Sequence, residues 1–493
     1  ILYQPIYNIC VLLRIKIGCE NDMKILENIE PKRVFSFFED ICAIPHGSGN
    51  TYAISEYCVE FAKSRGFDYK RDSSNNVIIK KPGSVGYEAH ETVILQGHLD
   101  MVCEKSADYD FDFTKNGLSL NVDGDLLSAD GTTLGADDGI AVAMILAVLD
   151  DDLLAHPPIE ALFTTDEETG MYGAQAVDVS NLSGKMLINI DSGEEGVLTV
   201  GCAGGAKVEI KIPVVCQKNL KPCQHIVVSG LLGGHSGVDI NKGRQNADIL
   251  LGKLLNEMPF PFSIVSMNGG FKDNVIPNSS ECVIACEHDI EKYVNMFADS
   301  NRSDCDIGMT VSAESVECRG VSFDEQTTKK IVSFINDLPF GVVSMSQNMD
   351  NMVQTSLNLG IVSTDDESFT AVVSVRSSVS DEKRELLEKL HDIAKKYDAD
   401  FSTHGHYPAW EYRKNSHLRD TMVSVYNKLY GKYPVIETIH AGLECGLFND
   451  KISDLDAVSM GPNMWDIHTV NERLSISSTA RTYDYICNVL KEL

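Results

Sequence analysis

At 493 residues the chain exceeds the size at which one hydrophobic core keeps growing, so two domains are expected. Its 43% hydrophobic, 8% aromatic and 23% charged residues exclude a disordered or fibrous chain. A formal net charge of -30 repels phosphate backbones and anionic membrane surfaces, which argues against nucleic acid or lipid as the main partner and leaves carboxylates to spare for metal cations.

In chain order, the first 22 residues, "ILYQPIYNICVLLRIKIGCEND", lack an initiator Met, carry Arg14 and Lys16 inside the apolar part and offer no small-residue cleavage site. The natural chain is expected to begin at Met23, with residues 1–22 an upstream extension or a disordered tail. Helices are predicted through "KRVFSFFEDICAI" and "TYAISEYCVEFAKSRG", the second closed by Gly66, followed by strands "NVIIKK" and "TVILQG". The segment 140–149, "IAVAMILAVL", reads as a helix apolar on every side, which suits the covered flank of a sheet in an α/β domain. Strands follow at 159–165 and 186–190. After "GCAGG" the pattern changes to two rounds of strand, helix, strand, strand, helix, with helices near 243–257, 289–299, 325–337 and 381–397. This predicts an inserted α+β domain over 206–400, between two parts of an α/β domain at 23–205 and 401–493. The acidic runs Asp150-Asp151-Asp152 and Asp365-Asp366-Glu367 read as solvated surface. Fourteen cysteines with no C-x-x-C pair fit neither a zinc ribbon nor a small disulfide scaffold and point to a reducing, cytoplasmic setting, Cys282 and Cys286 being core residues on one strand face. No apolar run reaches the ~20 residues of a membrane span.

Ionisable groups collect where the predicted strands end. Strand 93–97 ends at His98, strand 159–165 at Asp166-Glu167-Glu168, strand 186–190 at Asp191, and strand 457–461 leads to His468. In open α/β sheets such carboxyl ends converge. Asp137, in the glycine-flexed loop "GTTLGADDGIAVA", is a fifth candidate; an isolated Asp there would be better explained as a helix cap, but two adjacent acids are more than one cap requires. Imidazole plus carboxylate favours zinc over calcium. Two ions ~3.5–4 Å apart need one shared carboxylate and about two further ligands each; His98, Asp137, Glu168, Asp191 and His468 supply that number. His98 and Asp100, two apart on a strand, are expected to share a face, so that the acid can orient the imidazole. Glu167 can point away from its ligating neighbour and act on a water made acidic by the metal.

The ordered set "LQGHLDMV", "GTTLGADDGIAVA", "TTDEETGMYGA", "NIDSGEEG", "GCAGG", "LLGGHSGVDI", "NVIP", "HAGLECGLF" and "SMGPN" followed by His468 resembles the bacterial aminoacyl-histidine dipeptidases, carnosinase-like Xaa-His dipeptidases of the dizinc aminoacylase and carboxypeptidase clan. The likeness runs from about Met23 to the C-terminus. It implies a zinc-peptidase-type catalytic domain with a central mixed sheet flanked by helices, and a lid formed by the α+β insertion. It implies two zinc ions, or manganese or cobalt in place of one or both, held by His98, Asp137, Glu168, Asp191 and His468, with Asp137 bridging. It further implies Asp100 as the residue orienting His98 and Glu167 as general base. His235 in "GGHSG" is implied as the oxyanion-stabilising histidine of the lid. Asn274 and Arg376 are implied as lid contacts to the substrate's carboxylate or oxyanion, and Gly442 as a backbone contact from the catalytic domain. From the residues alone, Arg376 is as well explained by a structural salt bridge, and the glycines around His235 by a plain turn.

The expected function is hydrolysis of small dipeptides by a cytoplasmic dizinc enzyme, a homodimer by analogy. The same metals could serve an N-acyl amino acid deacylase, because pocket shape sets specificity. A two-metal phosphoesterase lacks an accompanying basic cluster. An inactive metal-binding, peptide-binding protein would be expected to have lost Glu167 or a ligand, and neither is missing.

Overall fold

The computed structural model describes residues 24–493 apart from 319, 348 and 350. The expected start at Met23 and the extension 1–22 lie outside the described residues. The chain divides into two compact units. The first comprises residues up to Val200 with Arg413–Glu437 and Leu447–Leu493, and the second Gly201–Tyr412 with Thr438–Gly446.

The first unit is built on a mixed sheet whose strands lie in the order Asp68–Arg71, Val77–Lys81, Ile159–Thr164, Val93–His98, Met186–Asn189, Asp456–Ser459, Val197–Cys202, Val435–Ile439. The middle four, from Ile159–Thr164 to Asp456–Ser459, pair in parallel, so their carboxyl ends lie along one edge. Helix Ala136–Leu149 packs on strand Val93–His98 and under helix Lys32–Cys42. Every one of its residues except Asp137 is buried, which explains a segment with no polar face. Full burial of each Val, Ile, Leu or Met there contributes roughly 1.5–3 kcal/mol. Helix Tyr52–Arg65 stops where Gly66 turns left-handed at φ 71, as its sequence leads one to expect. A four-stranded sheet in the order Met464–Trp465, Arg473–Ser475, Leu126–Ala129, Leu120–Asp123 was not legible from the pattern. It frames the loop that carries His468.

The second unit is a nine-stranded sheet in the order Thr310–Val316, Cys223–Ser229, Ser280–Cys286, Phe262–Gly269, Val353–Thr364, Ser368–Ser377, Gly204–Pro213, Asp400–Tyr407, with Gly341–Met345 also paired to Val353–Thr364. Helices Ala247–Glu257, Glu291–Ser300, Glu325–Asp337 and Ser380–Lys396 contribute to one continuous core over that sheet, to which Cys282 and Cys286 belong.

The boundaries expected at 206 and 400 shift to 201 and 412. Strand Asp400–Tyr407 hydrogen-bonds along Gly204–Pro213 and is an edge strand of the insertion. Its polar sequence, "DFSTHGHY", has no buried position, so local hydrophobicity carried no sign of that pairing. A second difference is the disulfide between Cys223 and Cys318, where free thiols were expected. Cys223 pairs with Val316 across neighbouring strands, which brings Cys318, two residues further on, within bonding reach.

Candidate functional site

In the first unit, His98 ends strand Val93–His98, and its backbone N–H donates to Asp138 Oδ2 at 3.0 Å. Its ring Nδ1 lies 2.9 Å from the Asp100 carbonyl oxygen and 3.5 Å from Asp100 Oδ1. The shared strand face expected for His98 and Asp100 is therefore corrected. The strand stops at His98, the chain turns, and the main contact to the imidazole comes from the Asp100 backbone. The Asp100 carboxylate accepts instead from Ser48 Oγ at 2.8 Å and from the amides of Glu167 at 3.0 Å and Glu168 at 3.3 Å. One buried acid thus fixes the turn that presents both glutamates, and against the effect of burial the His98 imidazole, then Ser48 and the Glu167 amide, hold its carboxyl below the usual range.

Asp137 sits where the backbone has not yet become helical, at φ -82 and ψ 99. The four amides of Leu134, Gly135, Ala136 and Asp137 all donate to the Glu472 carboxylate, at 2.7, 3.0, 2.9 and 3.3 Å. Glu472 is 3% exposed and replaces the side-chain cap that the helix otherwise lacks. The two Asp137 oxygens then face different histidines: Oδ1 is 3.1 Å from His98 Nε2 and Oδ2 is 3.2 Å from His468 Nε2. His468 has a left-handed backbone, φ 63, rare for a side chain of its size.

Two ligand-type triads result, His98–Asp137–Asp191 and Asp137–Glu168–His468, the donor atoms within each lying within 4.8 Å of one another, and they share Asp137. Glu167 joins His98 and Glu168 in a third such group. Glu168 Oε1 is buried and lies 2.9 Å from His468 Nε2. The Asp137 and Glu168 carboxylates push the His468 imidazole up to about 10, and Asp100 and Asp137 keep buried His98 well above its ordinary value despite desolvation. Protons on the histidines offset part of the cluster's negative charge, and burial, then Asp191, also raise the carboxyl of Asp138 well above its ordinary value. Imidazole nitrogen with carboxylate oxygen, in negative excess, is a donor set that fits divalent ions.

In the second unit, a short ladder of Gly234–His235 with Val275–Ile276 sets His235 beside Asn274, whose carbonyl accepts from Ser236 N at 2.9 Å. His235 Nδ1 accepts from the amides of Gly237 and Val238, both at 3.2 Å, which leaves the proton on Nε2 as a free donor. Burial and then the charge of Arg376 lower the His235 pKa. A side chain at Gly237 would come within 2.2 Å of the His440 carbonyl and 3.0 Å of the His235 ring, so the "GGHSG" glycine is required for packing rather than for a simple turn. Asn274 and Arg376 line one cavity of about 230 Å³. Arg376 is buried, so the structural salt bridge is not what it makes: among the described residues no carboxylate pairs with it. Gly442 lies in this unit, not with the metal ligands as expected, because Thr438–Gly446 packs with the insertion.

Sequence reasoning missed three residues. Glu472, four after His468 in "HTVNERL", could have been noticed as an acid near a ligand. Asp138, next to Asp137 in the same loop, was given no role, yet its carboxylate accepts from the His98 backbone amide. His440, in "HAGLECG", is buried with Nε2 2.7 Å from Ser356 Oγ, and burial, Arg376 and His235 push its pKa down to about 3.

Comparison with known proteins adds an independent line. Residues 94–492 match the model of "Peptidase family M20/M25/M40". The chain is 34% identical over 484 residues to the cytosol non-specific dipeptidase of Escherichia coli K12, covering 96% of this chain and 99% of the relative. The crystal structure of aminoacylhistidine dipeptidase from Vibrio alginolyticus superposes with a TM-score of 0.89 at 32% identity, over 96% of this chain and 98% of that one. Aminopeptidase PepT from Bacillus cereus, at 16% identity and a TM-score of 0.57 over 94% and 99%, shares the fold. With shared ligand triads at the ends of parallel strands and a match across most of its length, the chain belongs to peptidase family M20/M25/M40.

Proposed function

We propose that this chain is a cytosolic metal-dependent dipeptidase acting on unblocked dipeptides, Xaa-His dipeptides such as carnosine among them. The observation that carries the reading is Asp137, whose two oxygens are turned toward two different histidines as a carboxylate shared by two ions requires. The names of the Escherichia coli and Vibrio relatives, a non-specific dipeptidase and an aminoacylhistidine dipeptidase, support the substrate class.

His98 and Asp191 would hold one ion, Glu168 and His468 the other, and Asp137 both; zinc suits the mixed nitrogen and oxygen donors, with manganese or cobalt as alternatives. When bound, the ions supply Lewis acidity that polarises the scissile carbonyl and makes a water acidic near neutral pH. Glu167 takes the proton of the attacking water on its carboxylate and returns it to the departing amine, a transfer typically worth ~10²–10⁴ in rate. Asp100 supports Glu167 by fixing its backbone and limits the movement of His98. His235, its proton confined to Nε2 by two amides, donates to the oxyanion; one such donor is worth ~2.7–4 kcal/mol. Arg376 and Asn274 bind the substrate's carboxylate, and the Gly442 backbone contributes a further contact.

Metal-reconstituted protein assayed against carnosine, Gly-His, Leu-Leu, a tripeptide and an N-acetyl amino acid tests this. Cleavage of the free dipeptides is expected. Turnover of the N-acetyl amino acid alone would replace the reading with a deacylase.

A further inference from the structure

The sheet of the inserted unit contains a cross-strand row of which the proposed reaction has so far used one member. Ser356 pairs with Arg376, Arg376 with Gly205, and Gly205 with Tyr407. Residues paired in this way project on one face. Glycine in the middle leaves the space above it open, so the flanking side chains meet there: Arg376 Nη1 donates to the Tyr407 hydroxyl at 2.9 Å. Tyr407 reaches this position because the register slips by one residue between His404 and Tyr407, where Gly405 takes a left-handed φ of 60. An unbroken ladder would set His406 opposite Gly205.

The ring is closely seated. A Cβ at Gly205 would lie 2.4 Å from both Cζ and the hydroxyl of Tyr407, and one at Gly442 2.8 Å from its Cε2. Two glycines distant in sequence therefore leave space for one tyrosine. Arg376 itself is 7% exposed, with Nε buried and lacking any partner among the described residues. Leaving a buried guanidinium unpaired is costly. A neutral hydroxyl fixes its direction without cancelling its charge, and its planar fork suits two-point binding of a carboxylate. The cavity it lines is also bounded by Asn274 and Lys207, the latter already paired with Asp273 at 3.1 Å.

We propose that Tyr407 is a positioning residue for substrate selection: its hydroxyl aims the Arg376 guanidinium at the C-terminal carboxylate of the dipeptide, with Gly205 and Gly442 as the seat of its ring. This rests on the reading that Arg376 binds that carboxylate.

The test compares a free dipeptide with the same dipeptide as its C-terminal amide, on metal-loaded wild type, Tyr407→Phe, Gly205→Ala and Arg376→Ala. Tyr407→Phe keeps the ring and removes only the hydroxyl. It is expected to raise KM for the free acid about tenfold, the scale of a hydrogen bond to a charged group, with kcat within about a factor of three, and to leave the kinetics of the amide unchanged. Gly205→Ala, which must displace the ring while keeping the hydroxyl, is expected to show the same loss confined to the acid. An unchanged acid-to-amide ratio of kcat/KM in Tyr407→Phe, or an equal fall on both substrates, overturns the proposal. Arg376→Ala separates the two layers. If it leaves the ratio unchanged, the reading of Arg376 itself fails; if it abolishes the preference while Tyr407→Phe does not, only the role of Tyr407 fails.

Discussion

The two units place ionisable groups in opposite ways. In the first, six acids, Asp100, Asp137, Asp138, Glu167, Glu168 and Asp191, gather with two imidazoles just beyond the ends of parallel strands and in the loop opening a helix, a cluster short of positive charge. In the second, burial and then the charge of Arg376 lower the proton affinity of both His235 and His440, and among the described residues no carboxylate is paired with the arginine. One cluster is deficient in cations and the other in anions. The contrast teaches that burial alone does not set the proton affinity of a histidine: that of His98 is raised and that of His440 lowered, although both are buried. The sign of the neighbouring charge decides.

The strongest way to break this comparison is at Glu167. Glu167→Ala is expected to lower kcat by about 10²–10⁴-fold while the metal content by elemental analysis stays that of wild type; wild-type turnover would remove Glu167 from its role. Next, chelation should act on the first unit alone. Ions that bind only the folded state at 100 to 1,000 times their Kd add about 2.7–4.1 kcal/mol, so EDTA is expected to lower the first unit's melting transition, measured by calorimetry on the full chain, and to leave the second unit's in place.

The mirror of that experiment is reduction. Cys223 and Cys318 are 95 residues apart, and a cross-link of that span contributes about 2–4 kcal/mol. Dithiothreitol is expected to lower the second unit's transition and spare the first's. Equal shifts in both would remove the separation drawn between the units.

The smallest expected effect sharpens the rule about charge inside the second unit. Asp248, buried beside Ser280, is pushed up to about 7 by desolvation. The unfolded carboxyl titrates near 3.9, so between that pH and about 7 the folded state binds the extra proton and stability falls as pH rises; above 7 the full penalty is present. Asp248→Asn is expected to raise the second unit's Tm by about 2–4 °C for each kcal/mol relieved, more at pH 8 than at pH 5. A gain independent of pH would show that the carboxylate is not the cause.

Much of the candidate site was legible because its signals are local. A strand that stops at His98, another at Asp166-Glu167-Glu168 and a third before Asp191 can be read from apolar runs and their ends, and the parallel pairing of those strands brings the ends together. The apolar helix 140–149 and the four helices of the insertion were legible for the same reason: periodicity is a property of neighbouring residues.

What escaped depends on partners far along the chain. Glu472 holds the loop of Asp137 from more than 300 residues away. Strand Asp400–Tyr407 has no apolar face to announce it, and its place at the edge of the insertion is fixed by hydrogen bonds to Gly204–Pro213.

The sequence by itself determined the apolar helix, the helices of the insertion, the parallel strands that lead to the site and which residues carry metal-binding chemistry, because burial periodicity and donor chemistry are carried by each residue and its near neighbours. Only the tertiary structure decided which oxygen of Asp137 faces which histidine, where the insertion ends, and that Gly205 and Gly442 stay bare so that Tyr407 can meet Arg376. Register, closure and side-chain approach are set by packing between distant segments, and no local stretch of sequence encodes them.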